Sequence, residues 1–302
     1  MDREIRFFEV GPRDGLQNEA TIVDPGDRVT MIEGLVDAGV TDIEIGSFVH
    51  PSWVPQMEGT EQVARMLDRR DGVRYWALVP NLKGLKRALA VDIEHVAVFM
   101  SATESHNQKN LNRSLDESLE ALEETIRQAR GEVKAIRAYI STAFGCPFEG
   151  KVDFDRVLKI GDRLLDMGAD HLSLGDTIGV GSPPAIRQGC RKALDRFGVE
   201  KVALHLHDTQ GLAVANTLVA YEQGVRLFDG AVGGMGGCPY APGAAGNVAS
   251  EDLVNLFEQL GAASGLDIDR LCEVTRWLHE DLGFSMGSRY FAYWRAAQGG
   301  EQ

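Results

Sequence analysis

Two histidines one residue apart, in Val202-Ala-Leu-His-Leu-His207, have the spacing in this chain that points most directly to chemistry. Side chains alternate along a strand, so His205 and His207 share one face while Val202, Leu204 and Leu206 share the other. If the leucines turn outward against helices, both imidazoles face inward and can reach one metal ion. Two partly buried histidines that merely hydrogen-bond would show the same spacing. Asp14 could add a carboxylate oxygen, and Asn247 an amide oxygen. Two nitrogens and two oxygens without a thiolate suit an octahedral Mg²⁺ or Mn²⁺ better than structural zinc. Two positions would stay open for a substrate hydroxyl and a neighbouring carbonyl, which the ion would polarise.

Other polar residues stand where strands should end. Arg13, beside Asp14, carries a permanent charge and a planar fork of donors suited to a developing enolate oxygen, although a surface ion pair would look the same in sequence. Glu44 alternates with Ile43 and Ile45 and should face inward, either to orient Arg13 or to handle a proton. Asp176 faces inward only if its strand stops at Gly175. Cys146 and Cys238 each precede a proline in a loop, and either could be a reactive thiol or an inert buried one. Cys238 lies in the segment 233–247, whose glycines and prolines exclude a helix or a central strand and predict a shaped loop.

The elements that must carry these residues follow from periodicity. Short β-branched and aromatic runs at 5–11, 41–48, 74–80, 94–101, 135–143, 171–176, 202–208 and 227–233 alternate with helical segments near 25–39, 60–70, 82–90, 114–130, 153–168, 183–197, 211–223 and 250–261. Asp24-Pro25 and Ser182-Pro183 read as helix starts, and Ser114 with Glu117 as a capping box. Eight such units predict a (β/α)8 TIM barrel over residues 1–262, with its active site at the carboxyl ends of the strands. An open doubly wound sheet is the alternative, weakened by the lack of Gly-x-Gly-x-x-Gly after the first strand. Residues 263–302 read as a C-terminal helical extension, with a helix at 268–282 and an aromatic, basic tail at 284–297.

Composition bounds the setting. The 302 residues carry a net charge of −14, which argues against general nucleic-acid binding, and no apolar run is long enough to span a bilayer. The four dispersed cysteines show no secreted-type framework and the start shows no signal-peptide pattern, so a cytoplasmic protein with reduced thiols is expected.

Glu9-Val-Gly-Pro-Arg-Asp-Gly-Leu-Gln-Asn-Glu19, Ser47-Phe-Val-His-Pro-Ser-Trp-Val-Pro-Gln56, Pro80-Asn-Leu-Lys-Gly84, Ser173-Leu-Gly-Asp-Thr-Ile-Gly179, His205-Leu-His-Asp208 and Gly236-Gly-Cys-Pro-Tyr-Ala-Pro-Gly243 occur in order along nearly the whole chain. Together they resemble the 3-hydroxy-3-methylglutaryl-CoA lyase family. The cysteine loop separates that family from condensing enzymes of the same barrel superfamily, which share the Arg-Asp and His-x-His elements. The resemblance implies divalent-metal retro-Claisen cleavage of a 3-hydroxyacyl-CoA to acetyl-CoA and a 3-oxo acid, in a homodimer. It implies Asp14, His205, His207 and Asn247 as metal ligands, Arg13 as the enolate stabiliser and Cys238 as the proton donor. Glu44 and Asp176 match acidic residues of the active site, and His205 joins the catalytic set.

Gln17 and Ser47 fall in the matching motifs as substrate contacts. For the CoA moiety, Asn81 and Lys83, with Lys86, Arg87, Lys109 and Arg113, offer local positive charge on an acidic protein. The chain departs from the family pattern at Ala20, at Gly46 and at His106. These positions open the choice of acyl group to a larger 3-substituent or to citramalyl-CoA. A condensing synthase of the isopropylmalate or homocitrate type and a non-catalytic binding protein are the remaining alternatives.

Overall fold

Eight short parallel strands close on themselves, each joined to the next across a helical layer. The computed structural model describes residues 4–237 and 246–299. The strands are β1 (Arg6–Glu9), β2 (Asp42–Ser47), β3 (Arg74–Leu78), β4 (His95–Ser101), β5 (Ala135–Ser141), β6 (His171–Asp176), β7 (Val202–Leu206) and β8 (Leu227–Gly230). The helices are α1 (Pro25–Asp37), α2 (Thr60–Met66), α3 (Leu82–Leu89), α4 (Glu104–Leu111), α5 (Leu115–Ala129), α6 (Phe154–Met167), α7 (Pro183–Phe197), α8 (Ala213–Gln223), α9 (Ser250–Gln259), α10 (Ile268–Glu280) and α11 (Arg289–Gly299). Pairing of Arg6 with Leu227 and of Glu9 with Gly230 joins β1 to β8, which makes a TIM barrel and excludes the open sheet.

Alternation along each strand sorts the side chains into two layers. Phe7, Ile43, Ile45, Leu172, Leu174, Leu204 and Leu206 face the helices in the main core. Phe8 and Trp76 pack inside the barrel with Val10 and Ala231, and Leu78, Ala97 and Tyr139 form a second interior group. Burial of each large apolar side chain contributes about 1.5–3 kcal/mol, so reversing the register of any strand would be costly. Helix starts follow their local chemistry. Asp24 accepts from the amides of Gly26 and Asp27, Ser182 from that of Ala185, and Ser114 and Glu117 close a capping box.

Several boundaries move. β1 stops at Glu9, and Gly11–Gly15 winds into a π-helical turn with Pro12 in its first positions. β7 stops at Leu206, and His207 instead bridges to Asn247. The segment between β4 and α5, to which periodicity assigns no element, contains α4, whose largely polar sequence shows no apolar periodicity. The aromatic tail becomes helical only from Arg289. α10 lies against α1 and α9, and α11 against α9 and α10. Cys272, Phe291 and Trp294 form their common apolar contact. No helix among the described residues is long and apolar enough to cross a membrane.

Candidate active site

The π-helical turn after β1 carries Arg13 and Asp14 across the carboxyl end of the barrel. It is tied at its root by Glu9, whose Oε1 accepts from the amides of Gly11 at 2.7 Å and Val232 at 3.0 Å. From there Arg13 donates through Nε to Glu44 Oε2 at 2.5 Å and through Nη1 to Asp14 Oδ1. Neither carboxylate takes Nη2. The hydroxyl of Tyr139 donates to the same Glu44 oxygen at 3.3 Å, and the Arg13 guanidinium lies over the Tyr139 ring. Burial pushes Glu44 above the usual carboxylate range against the pull of Arg13. Asp14 goes the other way, because Arg13 and the two histidines outweigh burial and hold its carboxyl well below that range.

His205 Nε2 and His207 Nε2 are 3.3 Å apart, and Asp14 Oδ2 lies 3.7 Å from the first and 3.6 Å from the second. His205 Nδ1 sits 3.0 Å from Asp229 Oδ2, and Asp229 also accepts from Ser173 and Arg137. A carboxylate below Nδ1 calls for a proton there, so the lone pair of Nε2 points at His207 and Asp14. Three lone-pair atoms thus converge on one point, an arrangement that a shared cation satisfies. Charge agrees, since Asp14, Glu44 and Asp229 are set against the guanidiniums of Arg13 and Arg137, a formal excess of one negative charge. The Nδ2 of Asn247 donates to Asp14 Oδ2 at 2.9 Å and to the Met235 carbonyl at 3.1 Å. A half-turn of that amide would present Oδ1 at the same place, as a fourth ligand requires. The residues therefore fit a hard divalent cation.

Above these groups opens a cavity of about 580 Å³, floored by Arg13, Asp14, His205 and His207. Gln17, Ser47 and His106 line it, together with Val49, Trp53 and Phe99. Gly237 also lines it, with its carbonyl held by Asn18 Nδ2 at 2.9 Å, so the glycine-rich loop enters the site immediately before Cys238. Cys238 itself lies outside the described residues.

Residues 4–278 match the family model described as HMGL-like. The chain belongs to the HMGL-like family. The hydroxymethylglutaryl-CoA lyase YngG of Bacillus subtilis is 44% identical to it, covering 95% of this chain and 96% of its own. The (R)-citramalyl-CoA lyase of Chloroflexus aurantiacus is 43% identical over 92% of this chain and 91% of its own. A solved HMG-CoA lyase of Acinetobacter baumannii, in complex with coenzyme A and 3-methylmalate, superposes with a TM-score of 0.92 at 36% identity, covering 95% of this chain and 94% of its own.

Not every expected residue of this HMGL-like barrel reaches the cavity. Asp176 accepts from the amides of Val180 at 3.1 Å and Gly181 at 2.9 Å, so its carboxylate ties the loop after β6 while its neighbours Gly175 and Thr177 line the cavity. Asn81 caps α3 by accepting from the Gly84 amide, and Lys83 and Lys86 are exposed away from the cavity lining. Arg87 is engaged by Glu61 and by the carbonyls of Phe48 and Val49. The position of Gly46 reflects packing. A β-carbon there would come within 2.5 Å of Arg28 Nη2 and 2.7 Å of Thr60 Oγ1, behind the strand. An irregularity in the β2–β3 register between Glu44 and Ser47 lets both of those residues face the cavity side. Cys146 is buried outside the cavity lining, and its sulfur accepts from Thr103 Oγ1 at 3.1 Å and from the amides of Phe148 and Glu149 at 3.4 Å.

His106 stands on α4 with Nδ1 2.7 Å from Ser101 Oγ, and burial pulls its pKa down to about 4. It is a neutral imidazole at the cavity wall. Sequence reasoning missed Tyr139, Arg137 and Asp229. Alternation carried the signal for the first two, which are i and i+2 on β5, but nothing local pairs Asp229 with His205, which lies 24 residues earlier.

Proposed function

We propose that this chain cleaves 3-hydroxy-3-methylglutaryl-CoA to acetyl-CoA and acetoacetate, with Mg²⁺ or Mn²⁺ held by Asp14, His205, His207 and Asn247. The observation that carries the reading is the convergence of Asp14, His205 and His207 beside Arg13 on the floor of one cavity. A divalent cation bound there supplies Lewis acidity to the 3-hydroxyl and an adjacent carboxylate or carbonyl oxygen.

The remaining roles fall to the chain. Cleavage requires the 3-hydroxyl to lose its proton, the C2–C3 bond to break, and its electron pair to pass to C2 and the thioester oxygen as an enolate. Arg13 is placed to stabilise that oxygen through Nη2, because Glu44 and Asp14 already hold its Nε and Nη1 and fix the fork. Glu44 and Tyr139 position Arg13 from below. The enolate must then be protonated at C2, a step assigned to Cys238, whose chain neighbour Gly237 lines the cavity. With Nε2 at the ion site and Nδ1 turned to Asp229, His205 has no nitrogen left for the hydroxyl proton; it helps to hold the 3-hydroxyl at the ion site, and the proton leaves to water in the cavity. Gln17, Ser47 and His106 would contact the acyl group. Homodimerisation is part of the same proposal, and sedimentation equilibrium tests it.

Citramalyl-CoA is the second reading, favoured by the 43% identical relative that carries that name. Supplying purified protein and Mn²⁺ with each thioester and identifying the products decides between them. Acetyl-CoA with acetoacetate supports the first reading, and acetyl-CoA with pyruvate the second. Cleavage of neither substrate overturns both.

A further inference from the structure

Arg137 is fully buried in the middle of the barrel, its guanidinium 4.0 Å from the centre of the Phe8 ring and 4.9 Å from that of Tyr139. It makes one ion pair, through Nη2 to Asp229, while its Nε and Nη1 have no hydrogen-bond partner. A buried cation that leaves donors unused is a poor way to stabilise a core. Apolar residues of similar volume usually do as well or better. What the pair does hold is Asp229 Oδ2 against His205 Nδ1 at 3.0 Å, with Ser173 Oγ donating to the same oxygen at 3.2 Å. His207 has nothing comparable, and its Nδ1 is buried without a partner. The two imidazoles are therefore unequal. One is locked in ring orientation and tautomer by a carboxylate behind it, and the other meets polar groups only through Nε2, toward His205 and Asp14, with a backbone bridge to Asn247.

We propose that Arg137 and Asp229 are positioning residues that fix His205 with its proton on Nδ1 and its Nε2 lone pair aimed at the Asp14–His207 ion site. Arg137 anchors Asp229 Oδ1 so that Oδ2 faces His205, and Asp229 strengthens His205 as a ligand. The inference rests on the proposed metal site and adds the residues that make that site asymmetric. Neither residue touches the cavity, so neither meets the substrate.

The test is Arg137→Met/Asp229→Asn, which removes both buried charges together and leaves His205 and Ser173 a neutral acceptor. Mn²⁺ affinity is read by electron paramagnetic resonance of the free ion on chelator-stripped protein, without substrate, and melting temperature is read in parallel. The expected result is a melting temperature at or above that of the parent with a Mn²⁺ Kd weakened about 10–100-fold. A Kd within twofold of the parent value would overturn the positioning role while leaving the metal site standing. A parent chain that binds no Mn²⁺ would overturn the site reading itself. Should the double variant fail to fold, the parent supplies the second measurement. ¹⁵N correlation spectra of the metal-free protein, assigned by loss of the signal in His205→Gln, should place the His205 proton on Nδ1. A proton on Nε2 would refute the proposal.

Discussion

Arg13→Lys isolates the role of the guanidinium fork while conserving charge. Arg13 spends Nε on Glu44 at 2.5 Å and Nη1 on Asp14, and its side chain is 7% exposed. An ammonium at this depth can serve one of those carboxylates well, but it cannot hold both and still donate to a third oxygen in the plane. Leaving Glu44 short of its charged donor should cost about 1–3 kcal/mol of stability, which lowers the melting temperature by a few degrees. Losing a preorganised donor to the enolate should cost about 2.7–4 kcal/mol of barrier, or ~10²–10³ in kcat. Stopped-time assays of acetyl-CoA with saturating Mn²⁺ separate the two effects, since the stability loss leaves a folded enzyme at 25 °C. A folded Lys variant with kcat within threefold of the parent would refute the assignment of enolate stabilisation to Arg13.

Cys238→Ala should abolish acetyl-CoA formation with Mn²⁺ binding intact, whereas Cys146→Ala, away from the cavity, should keep near-parental kcat; the opposite pattern in a steady-state assay moves the acid to Cys146. Gly46→Ala forces a β-carbon to within 2.5 Å of Arg28 Nη2, so it should destabilise folding by about 1–3 kcal/mol in urea titrations without changing the preference between hydroxyacyl-CoAs. Burial drives Glu9 up to about 8 and Glu251 up to about 7. Above the unfolded value, near 4.5 for each, the folded chain then binds more protons than the unfolded one, so stability should fall as pH rises from about 5 to 8. Glu9→Gln can still accept the two backbone amides, and it should flatten the upper part of that slope in melting curves; an unchanged slope would show that Glu9 is already ionised at neutral pH.

How far these features were legible in the sequence differed with the distance over which the signal acts. The His205/His207 pair, the inward Glu44 and the helix caps at Asp24, Ser114 and Ser182 are governed by alternation or by residues two to four apart, and the chain shows them directly. The (β/α)8 order was legible for the same reason. What local pattern could not show was pairing across strands. Arg137 and Asp229 are 92 residues apart, and a charged residue within an apolar strand gives no sign of its partner. Likewise α4 is a polar helix at the barrel mouth, where apolar periodicity has no core to record. Gly46 was open to misreading because a missing side chain says nothing about which side of the strand lacks room. Asn81 and Arg87 look like anion contacts in sequence, and the fold uses them as a cap and an ion pair.

The central claim is that Asp14, His205 and His207 hold a divalent cation required for carbon–carbon cleavage of 3-hydroxy-3-methylglutaryl-CoA. It is met most directly by stripping the protein with a chelator, returning Mn²⁺ in steps, and following acetyl-CoA and acetoacetate together, with His207→Ala alongside. The account predicts no products from the stripped protein, both products in equal amounts as Mn²⁺ is restored, and no restoration in the variant. Equal turnover with and without the ion, or full activity of His207→Ala, would contradict it.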